Sequence, residues 1–115
     1  MNGFKLKRVY EPPSDEDGYR VLIDRLWPRG QRKAEMQLDE WNKDIAPSAA
    51  LRKWFNHQPE RFEAFATQYR AELVSKADDL QRLRNIAKTK LVTLLYAARD
   101  EHNNQAVVLK QVLLS

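Results

Sequence analysis

The sequence predicts an α/β domain: a small, mostly parallel sheet of three to four strands flanked by helices. Three observations carry this. Residues 19–24 and 90–97 are short runs that are apolar almost throughout, the pattern of strands buried on both faces. Between them, Phe62, Phe65, Ala66, Tyr69 and Leu73 recur at the spacing of one helical face. A length of 115 residues suits one hydrophobic core, hence a single domain over residues 1–115.

Residues 4–9 alternate, with Phe4, Leu6 and Val9 apolar and Lys5 and Lys7 between them, as a half-buried first strand does. Two prolines, an acidic cluster and Gly18 then break the chain before the second strand at residues 19–24. Trp27-Pro28 ends that strand, because a residue preceding proline is pushed toward extended conformations. Residues 30–37 are polar and basic and read as a mobile loop. Residues 38–45 fit a short helix or an edge strand, and the spacing of Leu38, Trp41 and Ile45 favours the helix. Ser48 reads as the N-cap of a helix over Ala49–Phe55. Pro59 suits the first turn of the aromatic-faced helix, with Glu60 and Glu63 at its positive end. A further helix spans Ala77–Ala87 through Leu80, Leu83 and Ile86 or Ala87, and a last one covers residues 103–114. The link between the first two strands is short for a helical crossover, which leaves their mutual direction open.

Composition narrows the function classes. Without a single cysteine, the chain can form no disulfide, thiolate nucleophile or cysteine-ligated metal site. The two histidines lie far apart, and the three glycines form no phosphate-binding loop, so neither a metal nor a cofactor is expected. No apolar run approaches the roughly 20 residues of a membrane span, and no signal-peptide pattern opens the chain. A cytoplasmic location is expected. The net charge of +4 favours anionic partners without singling out nucleic acid.

Chemistry concentrates at two strand ends. The first constellation is Asp24, Arg25, Trp27 and Arg29, with Arg32 and Lys33 beyond. Guanidinium groups bind carboxylate or phosphate in bidentate fashion, and an indole can stack on a planar group. The alternative is structural: an Asp24–Arg25 or Asp24–Arg29 ion pair, with Trp27 plugging the core. The second constellation is Tyr96-Ala97-Ala98-Arg99-Asp100-Glu101-His102-Asn103, where the third strand runs toward the last helix, with Tyr96, His102 and Asn103 as its candidate site residues. Free N–H groups at that helix start would add to an anion site, and His102 is a candidate general acid or base. Equally, His102 or Asn103 simply caps the helix. Arg52 and Lys53 extend the basic set or form a solvated face. Trp54 and Phe55 read as core, and His57 as surface.

Taken in order, several segments resemble a known family, domain-of-unknown-function family 488, in its YeaO-like branch. They are Tyr19-Arg-Val-Leu-Ile-Asp-Arg-Leu-Trp-Pro-Arg-Gly30, Trp41-Asn-Lys-Asp-Ile-Ala-Pro-Ser48, Leu51-Arg-Lys-Trp-Phe55, Tyr69-Arg-Ala-Glu-Leu73 and Leu94-Leu-Tyr-Ala-Ala98, followed by His102-Asn103 and Ala106. The resemblance implies an α/β fold, a cytoplasmic bacterial protein and no established activity. The wider family is similar to a Cys-x-Glu strand end followed by a Cys-His-Arg helix start. This chain has Tyr96-Ala97-Ala98 and His102-Asn103-Asn104 there, so thiol chemistry does not carry over. The arginine-bearing loop and the polar helix start do.

Three functions follow as expectations. The first is a site for a small anionic ligand, bearing phosphate or carboxylate, built from Arg25, Trp27, Arg29, Arg52, Tyr96 and Asn103. Asp24 or His102 serves as acid or base if there is turnover. The second is a nucleic-acid module with Arg25, Arg29, Arg32, Lys33, Arg52 and Lys53 as its basic surface and Trp27 as a stacking group. The third is a protein-interaction surface with no ligand.

Overall fold

Two apolar strands compete for the protected middle of the sheet, and both occupy it. In the computed structural model, which describes residues 3–115, four parallel strands lie in the order β1-β4-β2-β3. They are β1 (Gly3–Arg8), β2 (Tyr19–Leu22), β3 (Glu40–Trp41) and β4 (Leu91–Tyr96). β4 pairs with β1 from Gly3↔Leu91 to Arg8↔Tyr96, and with β2 from Tyr19↔Val92 to Leu22↔Leu95. The first two strands therefore run in the same direction without touching, separated by the last one. Gly18 permits the close approach at the start of β2. Its φ is 66°, and a Cβ there would run into the carbonyl of Leu91.

Side-chain alternation splits the sheet into two unequal faces. Val21 and Ile23 from the β2 segment, with Val92, Leu94 and Tyr96 from β4, face the main core. That core is closed by α2 (Ala49–Phe55), α3 (Phe62–Leu73), α4 (Ala77–Ala87) and α5 (Gln105–Leu114). Phe55, Phe62, Phe65 and Tyr69 form an aromatic ladder within it, Phe55 stacking on Phe65 at a centroid distance of 4.4 Å. As the spacing predicts, Ser48 caps α2 by accepting from the Leu51 N–H, and Pro59 opens a 3-10 turn that runs directly into α3.

The other face carries a smaller cluster of Val9, Leu22, Met36 and Leu95, covered by chain connections and one short helix. Beside it, Asp17, which is fully buried, takes hydrogen bonds from Lys5 Nζ, Lys7 Nζ and Arg20 Nη1, and its carbonyl accepts from Thr93 Oγ1. The lysines that alternate along β1 thus serve a buried carboxylate.

Three expectations are corrected here. Residues 30–37 are not loop throughout: α1 (Lys33–Met36) forms where Met36 buries its side chain and its carbonyl receives Arg20 Nε and Nη2. Residues 38–45 hold the edge strand β3 and no helix. Leu38 and Trp41 pack on the small cluster while Ile45 enters the main core, so residues spaced like one helical face end on opposite sides of the sheet. The last helix begins at Gln105, and its cap is Asn104, not His102 or Asn103.

Candidate functional site

Because β2 and β4 are neighbours, the segments that follow them converge at the carboxyl edge of the sheet, the usual place for ligands in open α/β folds. Asp24 holds that junction together. Its Oδ2 accepts from the Ala97 N–H at 3.0 Å, its Oδ1 from Gln105 Nε2, and its carbonyl oxygen from Trp41 Nε1 at 2.7 Å. Burial pushes its carboxyl up to about 6, against the pull of Ala97, Gln105 and Arg52. None of the arginines forms an ion pair with Asp24 among the described residues, so the structural pairs weighed from the sequence are absent.

A cleft of ≈ 610 Å³ opens beside Asp24, within the range of small-molecule sites. Arg25, Arg29, Arg52 and Arg99 line it, together with Asp24 and Asp100. Arg25 Nε donates to the Pro47 carbonyl at 2.9 Å, which aims the side chain along the cleft wall. The guanidinium groups of Arg29 and Arg99, both exposed residues, have no partner among the described residues. Arg52 stands apart. It is half-buried, and its Nε is sealed from solvent with no hydrogen-bond partner. The remaining wall is largely apolar, with Phe55, Phe65, Pro28 and Pro47 prominent.

Of the residues singled out from the sequence, Asp24, Arg25, Trp27, Arg29 and Arg52 are brought together. Trp27 is only partly available, because its Nε1 donates to the Gln31 carbonyl at 2.8 Å and its ring meets Trp41 edge-on at 5.1 Å. Tyr96, His102 and Asn103 lie outside the cleft. Tyr96 points into the main core, where burial and the nearby Glu101 raise its pKa. His102 is exposed on a turn organised by Asp100, whose Oδ1 accepts the N–H groups of His102 and Asn103. Asn103 returns a side-chain bond to Asp100 Oδ2. At the helix start, two of the N–H groups expected to be free are already taken. Asn104 Oδ1 takes those of Ala106 and Val107.

Sequence reasoning missed Gln105 and His57 as lining residues, whereas Arg99, part of the second constellation, does line the cleft. Gln105 is on α5, next to Asp24 only because β2 and β4 pair. His57 is on the surface, as read, but also borders the cleft. Its φ of 55°, after Asn56 at 45°, turns the chain back toward Phe55. The three polar residues Asn56, His57 and Gln58 between Phe55 and Pro59 were a turn signal that could have drawn attention to this edge.

Comparison with known proteins adds relatives but no activity. The chain is 48% identical over 109 residues to the uncharacterised protein YeaO of Escherichia coli K12, covering 95% of each chain. It is 45% identical over 109 residues to the uncharacterised proteins Rv3073c of Mycobacterium tuberculosis H37Rv and Mb3100c of Mycobacterium bovis, covering 95% of this chain and 92% of each of theirs. No solved structure gives a significant match. A family model described as the inactive DUF488-N3 subclade matches residues 3–115. With that match across the described chain and a YeaO relative at this identity, the protein belongs to the YeaO-like branch of domain-of-unknown-function family 488.

Proposed function

We propose that the cleft between the ends of β2 and β4 binds a small anionic ligand bearing phosphate or carboxylate. The observation that carries this is the Arg52 guanidinium, half-buried in the cleft with its Nε shut off from water and from every protein acceptor. A buried donor left unpaired costs about 1–3 kcal/mol, more when charged, so folded proteins rarely leave one without a use. An anionic acceptor in the cleft would satisfy it, with bidentate geometry available to the guanidinium. Arg25, Arg29 and Arg99 add positive charge to the same lining, while Asp100 is engaged by its own loop.

Binding without turnover is the reading we favour, and the description of the matching subclade as inactive supports it. The hydrogen bonds of Asp24 join β2, β4 and α5, a structural duty that explains the residue without any reaction.

Titration calorimetry with orthophosphate, sugar phosphates, nucleotides and short carboxylates tests the proposal. Arg52→Ala is expected to weaken whichever anion binds by about 10- to 100-fold, the worth of roughly 1.5–3 kcal/mol for a hydrogen bond to a charged group. An Arg52→Ala protein that matches the parent toward every anion overturns it. Binding only to oligonucleotides, falling steeply with salt, would assign the basic residues to nucleic acid instead.

A further inference from the structure

An anion seated on Arg52 has Asp24 for a neighbour. The two residues line one cleft and interact electrostatically, yet no ion pair closes between them. They are thus two receptors of opposite charge with a gap between them. A purely anionic ligand would satisfy Arg52 and set like charge against Asp24, a repulsion that grows as water is excluded. A ligand carrying a protonated amine beside its anionic group meets both.

Asp24 retains the capacity for such a partner. Each carboxylate oxygen accepts one protein hydrogen bond, from Ala97 N–H or Gln105 Nε2, and a carboxylate offers about four acceptor positions. Gln105 gives its Nε2 to Asp24, and its Oε1 has no partner among the described residues, which adds a neutral acceptor at the same place. Of the other charged groups of the lining, Arg25 is held to Pro47 through Nε and Asp100 is engaged by its own turn, while Arg29 and Arg99 are exposed, so that solvent screens their charge. Phe55, Phe65 and Pro47 supply an apolar wall for an uncharged ligand body.

We propose that the ligand is a small zwitterion of the amino-acid class, its anionic group on Arg52, its ammonium on Asp24 and Gln105 Oε1, and its apolar side chain against Phe55, Phe65 and Pro47. This rests on the anion-binding reading and narrows it. Burial lifts the Asp24 carboxyl to about 6, and an adjacent ammonium draws it back down, so capture of the amine relieves an unfavourable feature of the free protein.

The test uses matched pairs that differ only in the amine, by calorimetry at neutral pH: phenylalanine against hydrocinnamate, leucine against isocaproate, and phosphoethanolamine against ethyl phosphate. In at least one pair the zwitterion is expected to bind about tenfold or more tightly, a difference of about 1.4 kcal/mol. Asp24→Asn is expected to erase that preference while binding of the amine-free partner stays level or improves. Should the variant fail to fold, by circular dichroism, the parent protein's pairs decide alone. The assignment is overturned if the amine-free compound binds as well or better in every pair, if no pair binds while other anions do, or if the preference survives in Asp24→Asn. In each of those cases the anion site stands as long as some anion binds in an Arg52-dependent way. Failure of every anion removes both.

Discussion

Asp24 shows how one residue can be legible in type and illegible in role. A carboxylate after an apolar strand and before two arginines reads as half of an ion pair. The structure makes it instead a desolvated acceptor for Ala97 and Gln105, distant from it in sequence. A carboxyl whose folded pKa lies above its unfolded value favours the fold at low pH, and that contribution fades as pH rises through the folded value. With Asp24 lifted to about 6 from 3.8, Asp24→Asn should gain stability relative to the parent as pH increases from 4 to 8. The change across that window should approach roughly 1–3 kcal/mol. Thermal melts of both proteins at pH 4, 6 and 8 measure it; a difference that does not vary with pH contradicts the assignment. Arg52 was equally ambiguous, since its value lies in the absence of a partner, which no sequence pattern records.

At the scale of elements, local chemistry was readable wherever a segment buries one face. Ser48, Pro59 and the aromatic ladder mark α2 and α3 because capping and amphipathic spacing are properties of consecutive residues. Reading failed at residues 38–45, where the chain rounds the sheet edge and divides its apolar side chains between two clusters. It also failed by two residues at the start of the last helix, which follows four successive polar residues (Glu101 to Asn104). Asn104 is selected because it is buried, with its Oδ1 on Ala106 and Val107 and its Nδ2 on the Asp100 carbonyl. Asn104→Ala therefore removes both a cap and a loop anchor. It should cost about 2 kcal/mol by chemical denaturation, at the upper end for an N-cap, whereas Asn103→Ala, whose side chain bonds only Asp100, should cost well under half of that.

For the molecule as a whole, the asymmetry of the two sheet faces governs stability. Four helices seal one side; the other depends on connections pinned by the Asp17 cluster. Burial would push the Asp17 carboxyl up, but Lys5, Lys7, the Ser14 N–H and Arg20 outweigh it and hold it well below the usual carboxylate range. A lowered carboxyl contributes stability above its unfolded value, and the contribution is lost as pH falls toward the folded one. The parent should thus lose stability progressively below about pH 4. Asp17→Asn should be destabilised by about 3–5 kcal/mol at neutral pH, because Lys7 and Arg20 keep buried charges without their counter-ion, and should show a shallower acid slope. Urea titrations at pH 7, 4 and 3 give both numbers. Equal slopes for the two proteins would remove Asp17 from this role.

By itself the sequence determined the fold class, the strands β1, β2 and β4 and the long helices, the absence of thiol chemistry, and the arginine-bearing junction after β2. These follow from apolar periodicity, turn residues and composition, all of which are written along the chain. Only the tertiary structure decided that β4 lies between β1 and β2, and with that which polar residues meet. Strand order brings Gln105 to Asp24 and Arg99 into the same cleft as Arg29, while the turn organised by Asp100 leaves His102 exposed. Pairing across the sheet is a property of residues far apart in sequence, and burial, which raises the Asp24 carboxyl and leaves Arg52 Nε without a partner, exists only after the chain has folded.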